Sequence, residues 1–327
     1  MINFAVIGTN WITEKFVNAT RVEKQLSLRA VYSRTLQSAQ LFGDKFSVTT
    51  CYDSLALLAQ DVNVEAVYIA SPNSLHFEQS MQMLKAGKHV ICEKPLASNA
   101  QQVELLFQTA IENNVILFEA YMTAHLPNFK QIQDNLHKLG PLRKAHIHYC
   151  QYSSRYPAYL AGNNPNTFNP SFSNGSIMDI GYYCIAFSVA LFGRPLSIQA
   201  SAFLLDSGVD GCGTAILNYG TFSITIDHSK VSDSQLSNEI QGEQGSLHIE
   251  HVAQCEKVTL FQPQQDKNVD VSIKRNDNSM VYEAQFFAQQ ILDKKIDDVA
   301  MQRAKITSAV ITEIRALTGV VFPADSI

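Results

Sequence analysis

The first 120 residues alternate between short apolar segments typical of β-strands and amphipathic segments typical of helices. Segments such as 65–70 are apolar at almost every position, as expected of strands that are buried on both faces of a sheet. This order predicts βαβ units and a doubly wound parallel sheet. The predicted strands are 2–8, 26–33, 48–51, 65–71, 89–94 and 115–120, and the predicted helices between them are 13–20, 35–42, 54–61, 76–87 and 98–113.

The pattern changes after a further predicted helix at 126–139 and a break at Gly140-Pro141. Short alternating segments then predict a mostly antiparallel open sheet. Its strands are 142–152, 196–205, 212–218, 221–228, 236–241, 245–250, 256–262 and 268–274, and its helices are 176–193, 281–294 and 299–318. We therefore predict an α/β plus α+β chain, with a Rossmann domain at 1–120 and a second domain at 121–327 for substrate binding and oligomerisation. Helices on one face only leave the other face to be covered by a homodimer or higher homo-oligomer.

Composition excludes several classes of function. The net charge of -5 argues against nucleic acid and anionic membranes as partners, and favours small molecules. The chain has no signal-like start and no apolar run approaching 18 residues, so a cytoplasmic location is expected. Its six cysteines include no C-x-x-C pair, which predicts reduced thiols and no metal site.

The first predicted strand ends at a glycine, where the dinucleotide-binding fingerprint G-x-G-x-x-G/A is expected. Only Gly8 is a glycine; Asn10 and Thr13 hold the other two positions. Asparagine tolerates positive φ, so Asn10 is expected to make the turn of the second glycine. Backbone N–H groups of Trp11 and Ile12 at the helix N-terminus would then bind the pyrophosphate. The predicted cofactor loop is Gly8, Thr9, Asn10, Trp11 and Ile12.

The end of the second strand indicates which cofactor is preferred. NAD-binding proteins place an acidic residue there, whereas this chain has Ser33 and Arg34, with no carboxylate until Asp44. A guanidinium and a hydroxyl suit a 2′-phosphate. We predict NADP as the preferred cofactor, with NAD as the alternative if Arg34 is merely exposed.

Three further motifs occur in a fixed order at predicted strand ends and at one helix. They are Ser71-Pro72-Asn73-Ser74-Leu75-His76, Glu93-Lys94-Pro95 and Asp179-Ile180-Gly181-Tyr182-Tyr183. On these motifs the whole chain resembles the glucose-fructose oxidoreductase / inositol dehydrogenase / rhizopine-catabolism (Gfo/Idh/MocA) oxidoreductases. Because a tyrosine stands where inositol dehydrogenases have histidine, it resembles the dimeric dihydrodiol dehydrogenase branch more.

The resemblance implies hydride transfer between NAD(P) and a hydroxyl or carbonyl carbon of a sugar, polyol or cyclic diol. It implies that Tyr183 exchanges the hydroxyl proton, that Lys94 polarises the reacting oxygen, and that Asp179 orients Lys94 or holds a substrate hydroxyl. The cofactor-binding positions that it implies near the nicotinamide are Ser71, Asn73, His76, Glu93, Lys94 and Glu119.

Structural explanations compete with these roles. Lys94 can pair with Glu93 or Glu119, and Asp179 can complete a capping box that begins at Ser176. Tyr183 can be a core aromatic, and His76 a residue of a first helical turn. Glycine inside a helix costs about 0.5–1 kcal/mol, so Gly181 predicts that something approaches the backbone there. In the family this is substrate and nicotinamide.

Two departures from the family concern charge. Many relatives carry arginine where this chain has Ala124 and Asn166, which puts an anionic or heavily hydroxylated substrate in doubt. Two other functions share the fold: an NAD-dependent glycoside hydrolase and a non-catalytic NAD(P)-sensing regulator. A regulator needs neither Lys94 nor Tyr183, whereas a hydrolase retains its cofactor without net reduction.

Overall fold

The chain folds into two compact units, each discontinuous in sequence. In the computed structural model, which describes residues 1–265 and 267–326, the N unit comprises Met1–Met122 and Asn276–Lys305. The C unit comprises Thr123–Arg275 and Ile306–Ile327. The sequence predicted two continuous domains that meet after residue 120. In the structure, the late helical segment Asn276–Lys305 belongs to the N unit instead.

The N unit contains a six-stranded parallel sheet, as predicted. Its strands are β1 (Ile2–Ile7), β2 (Leu26–Tyr32), β3 (Cys51–Tyr52), β4 (Ala66–Ile69), β5 (His89–Glu93) and β6 (Leu117–Ala120), in the order β3-β2-β1-β4-β5-β6. The order reverses between β1 and β4, which is the switch point where ligands of open α/β sheets bind. Only β3 is displaced from its predicted place, and it is two residues long.

The C unit contains an eight-stranded sheet that is antiparallel except for one central pair. Its strands are β7 (Leu142–Cys150), β8 (Ser197–Leu204), β9 (Asp210–Asn218), β10 (Ser223–Ser229), β11 (Asn238–Gly242), β12 (Gly245–Glu250), β13 (Lys257–Gln262) and β14 (Lys267–Asp270), in the order β14-β13-β12-β11-β7-β10-β9-β8. The parallel pair is β7 with β10. The predicted mostly antiparallel sheet is therefore confirmed.

Helices cover both faces of the N-unit sheet. The helices of the N unit are α1 (Trp11–Glu23), α2 (Leu36–Asp44), α3 (Leu55–Gln60), α4 (Asn73–Lys85), α5 (Ala100–Glu112) and α9 (Met280–Asp293). Those of the C unit are α6 (Pro127–Asn135), α7 (Tyr156–Leu160) and α8 (Tyr182–Phe192), and α10 (Asp298–Thr318) has residues in both units. On one face Phe4, Phe16 and Tyr68 pack with Phe287 of α9, and on the other Ile7 and Leu106 share a second core. Burial on both sides explains why these strands are largely apolar.

A π-helical turn at Ile177–Gly181 precedes α8, where the sequence predicted one regular helix. Such turns are rare and occur frequently at functional sites. The segment Pro170–Phe192 is long and apolar enough to cross a membrane, but 72% of its most apolar window is buried inside the protein. We interpret it as the core helix of the C unit.

Candidate functional site

The loop between β1 and α1 approaches the end of β4 closely. Gly8 has φ +103°, and a Cβ atom at this position would lie 2.7 Å from the carbonyl oxygen of Ala70. Its N–H donates to the carbonyl oxygen of Tyr32 at 3.3 Å. The loop therefore requires glycine at its first fingerprint position, both for the positive φ and for the space.

Asn10 does not take the conformation expected from the fingerprint. Its φ is -89° and its ψ is 179°, so it is the extended N-cap of α1, and the expectation of a positive φ was wrong. Its Oδ1 accepts from the N–H groups of Ile12 at 3.0 Å and Thr13 at 3.1 Å, while its Nδ2 donates to Ala70 O. Asn10 therefore takes the place of the second glycine as a helix cap, and its side chain fixes the loop to the end of β4.

This cap changes which amides face the pyrophosphate. The Ile12 N–H, expected to be available, already donates to Asn10. In the described part of the chain, the Trp11 N–H has no such partner, and the Trp11 side chain is 73% exposed at the first position of α1. Thr9 lies half-buried in the same loop. The positive φ of Gly8 and the open start of α1 therefore fit a bound pyrophosphate.

Replacing Gly8 by alanine is expected to weaken NADPH binding by about 10-fold or more and to lower the thermal midpoint, since the new methyl group would displace the loop from Ala70. Quenching of Trp11 fluorescence measures the affinity. Gly87 is the matched control, with φ +76° and no atom within 4 Å of an added Cβ. Gly87→Ala is expected to destabilise without changing affinity; equal affinity loss in both variants would contradict the role of Gly8.

The end of β2 presents an exposed cation. Ser33 is half-buried and its N–H donates to Tyr52 O at 3.1 Å, which ties it to β3. Arg34 is exposed, and Thr35 caps α2 by accepting from the Ser38 N–H. No hydrogen bond or ion pair holds the Arg34 guanidinium within residues 1–265 and 267–326. It is therefore available to a phosphate.

His76 connects the ends of β4 and β5. It lies in the first turn of α4, is 1% exposed, and places Nδ1 2.8 Å from Pro95 O and Nε2 2.8 Å from Ser71 O. Burial lowers the pKa of His76, while hydrogen bonding to the two carbonyl groups acts in the opposite direction. Asn73 begins the same helix. His76 thus holds the Lys94-Pro95 turn, whose peptide bond is cis, against the Ser71 turn.

The two glutamates at these strand ends make internal contacts. Glu93 Oε1 accepts from the Tyr68 hydroxyl at 2.6 Å. Glu119 is 4% exposed, and its Oε1 accepts from the Leu96 N–H at 3.0 Å. Both contacts support the backbone on either side of Lys94. The carboxylates therefore fix the turn that carries the lysine.

In the C unit, the carboxylate of Asp179 forms an ion pair with Lys230. Lys230 directly follows β10, and its side chain is 9% exposed, whereas that of Asp179 is 37% exposed. The sequence expectation assigned Asp179 to Lys94 or to a substrate hydroxyl and did not include Lys230. The sequence signal that could have indicated Lys230 as a site residue is its position directly after a strand.

Tyr183 lies in an aromatic group on the helix-covered side of the C-unit sheet. Its ring centroid is 5.9 Å from that of Tyr149 on β7, and the Tyr149 ring is 4.9 Å from the His251 ring. Tyr183 is half-buried, while the neighbouring Tyr182 is 1% exposed. The half-buried tyrosine is the one of the two that keeps contact with solvent.

Gly181 makes room for a histidine. A Cβ atom at Gly181 would lie 2.9 Å from the Cγ atom of His228, and one at Gly213 would lie 2.9 Å from its Cε1 atom. The sequence expectation gave substrate and nicotinamide as the reason for this glycine. Within the C unit, the imidazole of His228 is the close neighbour, so packing alone accounts for Gly181.

A buried polar group fixes the π-turn from below. Asp210 Oδ2 accepts from the Ile177 N–H at 2.7 Å, and His228 Nδ1 lies 2.8 Å from Ser176 Oγ and 3.6 Å from Asp210 Oδ2. Ser176 therefore forms no capping box with Asp179. Burial raises the pKa of Asp210 to about 6 and lowers that of His228 to about 4.

These two shifts have opposite effects on stability. Because the folded pKa of His228 lies below its ordinary value of 6.5, stability is lost as pH falls from 6.5 through about 4. Because the folded pKa of Asp210 lies above its ordinary value of 3.8, stability is gained as pH falls from about 6 to 4. The two contributions offset each other over this window.

Asp210→Asn is expected to remove the contribution of Asp210 to the pH dependence of stability and to leave that of His228. Between pH 6 and 5, the free energy of unfolding of the variant should fall by about 1 kcal/mol more than that of the wild type. Urea denaturation at the two pH values measures the difference. Asp206→Asn, at an exposed position nearby, should follow the wild type. An Asp210→Asn protein with the wild-type pH dependence would show that Asp210 is ionised in the fold.

Together these features define a class of protein. The N unit has the strand order, the glycine turn and the exposed cation of a dinucleotide-binding domain, and the C unit carries an acid, a lysine and a tyrosine beside a π-turn. The N-unit features are typical of the dinucleotide-binding domain of nicotinamide-dependent oxidoreductases.

Comparison with known proteins identifies the family. Residues 2–121 match the model of the oxidoreductase family with an NAD-binding Rossmann fold, GFO_IDH_MocA, and residues 132–248 match a GFO/IDH/MocA C-terminal domain. The chain belongs to this family of oxidoreductases and is an NAD(P)-dependent enzyme. The resemblance seen in the sequence is thus confirmed.

Several relatives match over nearly their full length. The chain is 54% identical to the uncharacterized oxidoreductase YgjR of Escherichia coli, with 100% of this chain and 99% of that protein covered. It is 42% identical to the scyllo-inositol 2-dehydrogenase (NADP(+)) IolU of Bacillus subtilis, with 99% of each covered. It is 27% identical to the trans-1,2-dihydrobenzene-1,2-diol dehydrogenase of Danio rerio, again with 99% of each covered.

These identities do not follow the branch expected from Tyr183. The 42% identity to the inositol dehydrogenase exceeds the 27% identity to the diol dehydrogenase, so the chain as a whole is more similar to the former. Among solved structures, a 3-ketoreductase from Actinomadura kijaniata in complex with NADP and TDP-benzene has a TM-score of 0.86 at 23% identity, with 98% of this chain and 99% of that chain covered. That similarity concerns the fold.

Proposed function

We propose that the enzyme transfers a hydride between NADP(H) and a ring carbon of a polyol or cyclic diol, interconverting a hydroxyl and a carbonyl group. The observation that carries the substrate class is the full-length similarity to IolU, a scyllo-inositol 2-dehydrogenase (NADP(+)). The exposed Arg34 and the nearby Ser33 support NADP, because a guanidinium binds a 2′-phosphate. NAD remains the alternative cofactor.

The nicotinamide, when bound, accepts or supplies the hydride. Tyr183 is proposed to hold the proton that the substrate hydroxyl loses on oxidation and to return it on reduction. Lys94 is proposed to donate a hydrogen bond to the reacting oxygen. This role of Lys94 is supported by the turn in which it lies, because hydrogen bonds with His76 and Glu119 hold that turn in place. Asp179 holds a second substrate hydroxyl.

The remaining proposed cofactor contacts lie in the N unit. The loop residues Gly8, Thr9, Asn10, Trp11 and Ile12 are proposed to hold the pyrophosphate. The Trp11 N–H is a donor available to it, whereas Asn10 and Ile12 shape the loop through the cap that joins them. The strand-end residues Ser71, Asn73, His76, Glu93, Lys94 and Glu119 would line the nicotinamide side. Of these, His76, Glu93 and Glu119 support the strand-end turns through internal contacts.

We further propose that the C-unit sheet forms a homodimer or higher homo-oligomer through its face away from α8. Phe203 and Ile216 lie on this face with 59% and 41% exposure. His146, Thr214 and Asp227 form a hydrogen-bonded polar row beside them. An exposed patch of this mixed kind suits association between copies. Sedimentation of the purified protein tests this proposal.

A panel of inositols, sugars and cyclic diols, assayed by the absorbance of reduced nicotinamide with each cofactor, tests the proposed reaction. We expect turnover of at least one cyclic polyol and a higher kcat/KM with NADP than with NAD. Turnover restricted to sugars would retain the enzyme class and change the substrate. Turnover of none of these compounds in either direction would overturn the proposal.

A further inference from the structure

Lys230 has the properties of a ligand-binding group. An ammonium carries three N–H donors, and in the described residues Asp179 is the one side chain that accepts from it. Its side chain is more than nine-tenths buried. Buried donors require acceptors, since leaving a polar group unpaired away from water is costly. Two donors of Lys230 are therefore available to an incoming acceptor.

The backbone holds Lys230 firmly on both sides. Its N–H donates to Gly211 O at 2.8 Å, and its carbonyl oxygen accepts from the Ser153 N–H at 2.9 Å. The residue thus connects β9 to the segment that follows β7. These bonds fix the main chain of Lys230, and burial and the ion pair with Asp179 restrict its side chain. The side chain therefore loses little conformational freedom when it binds a ligand, which favours a defined recognition site.

The pair offers donors and acceptors side by side. The Asp179 carboxylate is acceptor-only and partly exposed, while the Lys230 ammonium is donor-only and buried beside it. A hydroxyl group both donates and accepts, so two adjacent hydroxyls satisfy both partners at once. The pair is neutral overall and gives no net attraction to an anion. Ala124 and Asn166 of the same unit are likewise uncharged.

We propose that Lys230 is a specificity-determining residue which, together with Asp179, binds two adjacent hydroxyls of an uncharged polyol. The proposal rests on the proposed function and deepens it. It selects neutral polyhydroxylated rings over monohydroxylated rings and over acidic sugars. Lys230 acts on hydroxyls away from the reacting carbon, so its removal should affect substrate binding more than the hydride step.

Lys230→Met keeps the length of the side chain and removes its donors. The test compares scyllo-inositol, trans-cyclohexane-1,2-diol and cyclohexanol as substrates. We expect KM for scyllo-inositol to rise by about 10- to 100-fold, because a charge-assisted hydrogen bond is lost, with kcat changed by less than about 3-fold. The parameters for cyclohexanol should remain unchanged. Binding of scyllo-inositol to the enzyme–NADPH complex, measured by calorimetry, should weaken by the same factor without turnover.

Lys257→Met is the matched control. Lys257 also lies near a carboxylate, that of Glu250, in the C unit but is 50% exposed, and its replacement should change neither KM nor binding. If Lys230→Met fails to fold, Lys230→Arg keeps the charge but moves the donors. This second variant should raise the calorimetric Kd by about 5-fold or more, since the donor positions change.

The outcomes separate the two proposals. A wild type that neither binds nor turns over any of the three substrates would overturn the proposed substrate class and this inference with it. A wild type that turns over scyllo-inositol, while Lys230→Met lowers kcat/KM equally for all three substrates, would overturn the inference alone. In that case Lys230 would be a support for Asp179 without a role in recognition.

Discussion

Replacing Lys94 by alanine is expected to lower kcat for the true substrate by about 10²- to 10⁴-fold, the range typical of a lost general acid–base contribution. Tyr183→Phe should lower kcat to a similar extent, because phenylalanine keeps the ring but has no exchangeable proton. Each variant should still bind NADPH, since the loop at Gly8 is untouched. Stopped-flow measurement of nicotinamide absorbance gives kcat, and quenching of Trp11 fluorescence gives cofactor affinity.

Two neighbouring positions provide matched controls. Lys85 is an exposed lysine at the end of α4, and Tyr182 is the buried tyrosine directly before Tyr183. Lys85→Ala and Tyr182→Phe should keep kcat within about 3-fold of the wild type, as surface and ring-preserving changes have small effects. Wild-type turnover in both Lys94→Ala and Tyr183→Phe would show that the proposed catalytic roles are wrong.

Replacing Arg34 by aspartate is expected to invert the cofactor preference. The guanidinium that suits the 2′-phosphate is removed, and a carboxylate that repels it but accepts from ribose hydroxyls is introduced. We expect kcat/KM for NADP to fall about 100-fold and that for NAD to rise. The ratio of the two values, measured at one substrate concentration, is the readout.

Arg29 provides the control for this change. It lies on β2, is exposed, and donates from Nη1 to Thr50 Oγ1 at 3.0 Å. Arg29→Ala should leave the cofactor ratio unchanged. If Arg34→Asp also left the ratio unchanged, Arg34 would be only an exposed residue before α2, and the NADP preference would have another origin.

Much of the N unit was predictable because its strands are buried on both faces. Burial on both faces makes a strand largely apolar, and the intervening helices have clear amphipathic periods. The two-residue β3 escaped correct placement because so short a strand carries almost no pattern. The same local signals identified Gly8, since a strand that ends in glycine before a helix requires positive φ.

Other features depended on contacts between distant segments. Lys230 and Asp179 are 51 residues apart, and no local pattern pairs them. Gly181 is explained by His228, which is brought beneath the helix by β10. Asn10 takes its extended conformation because its amide reaches Ala70 at the end of β4. In each case a partner far along the chain sets the role of the residue.

The sequence by itself determined the two fold types, the family and the motifs around Gly8, Lys94 and Tyr183, because local periodicity and strand-end residues are written in consecutive positions. The tertiary structure decided what those residues contact. It assigned Asp179 to Lys230 and made Asn10 a helix cap rather than a substitute glycine. Hydrogen bonds and ion pairs depend on distances in space, and the order of residues does not specify those distances until the chain has folded.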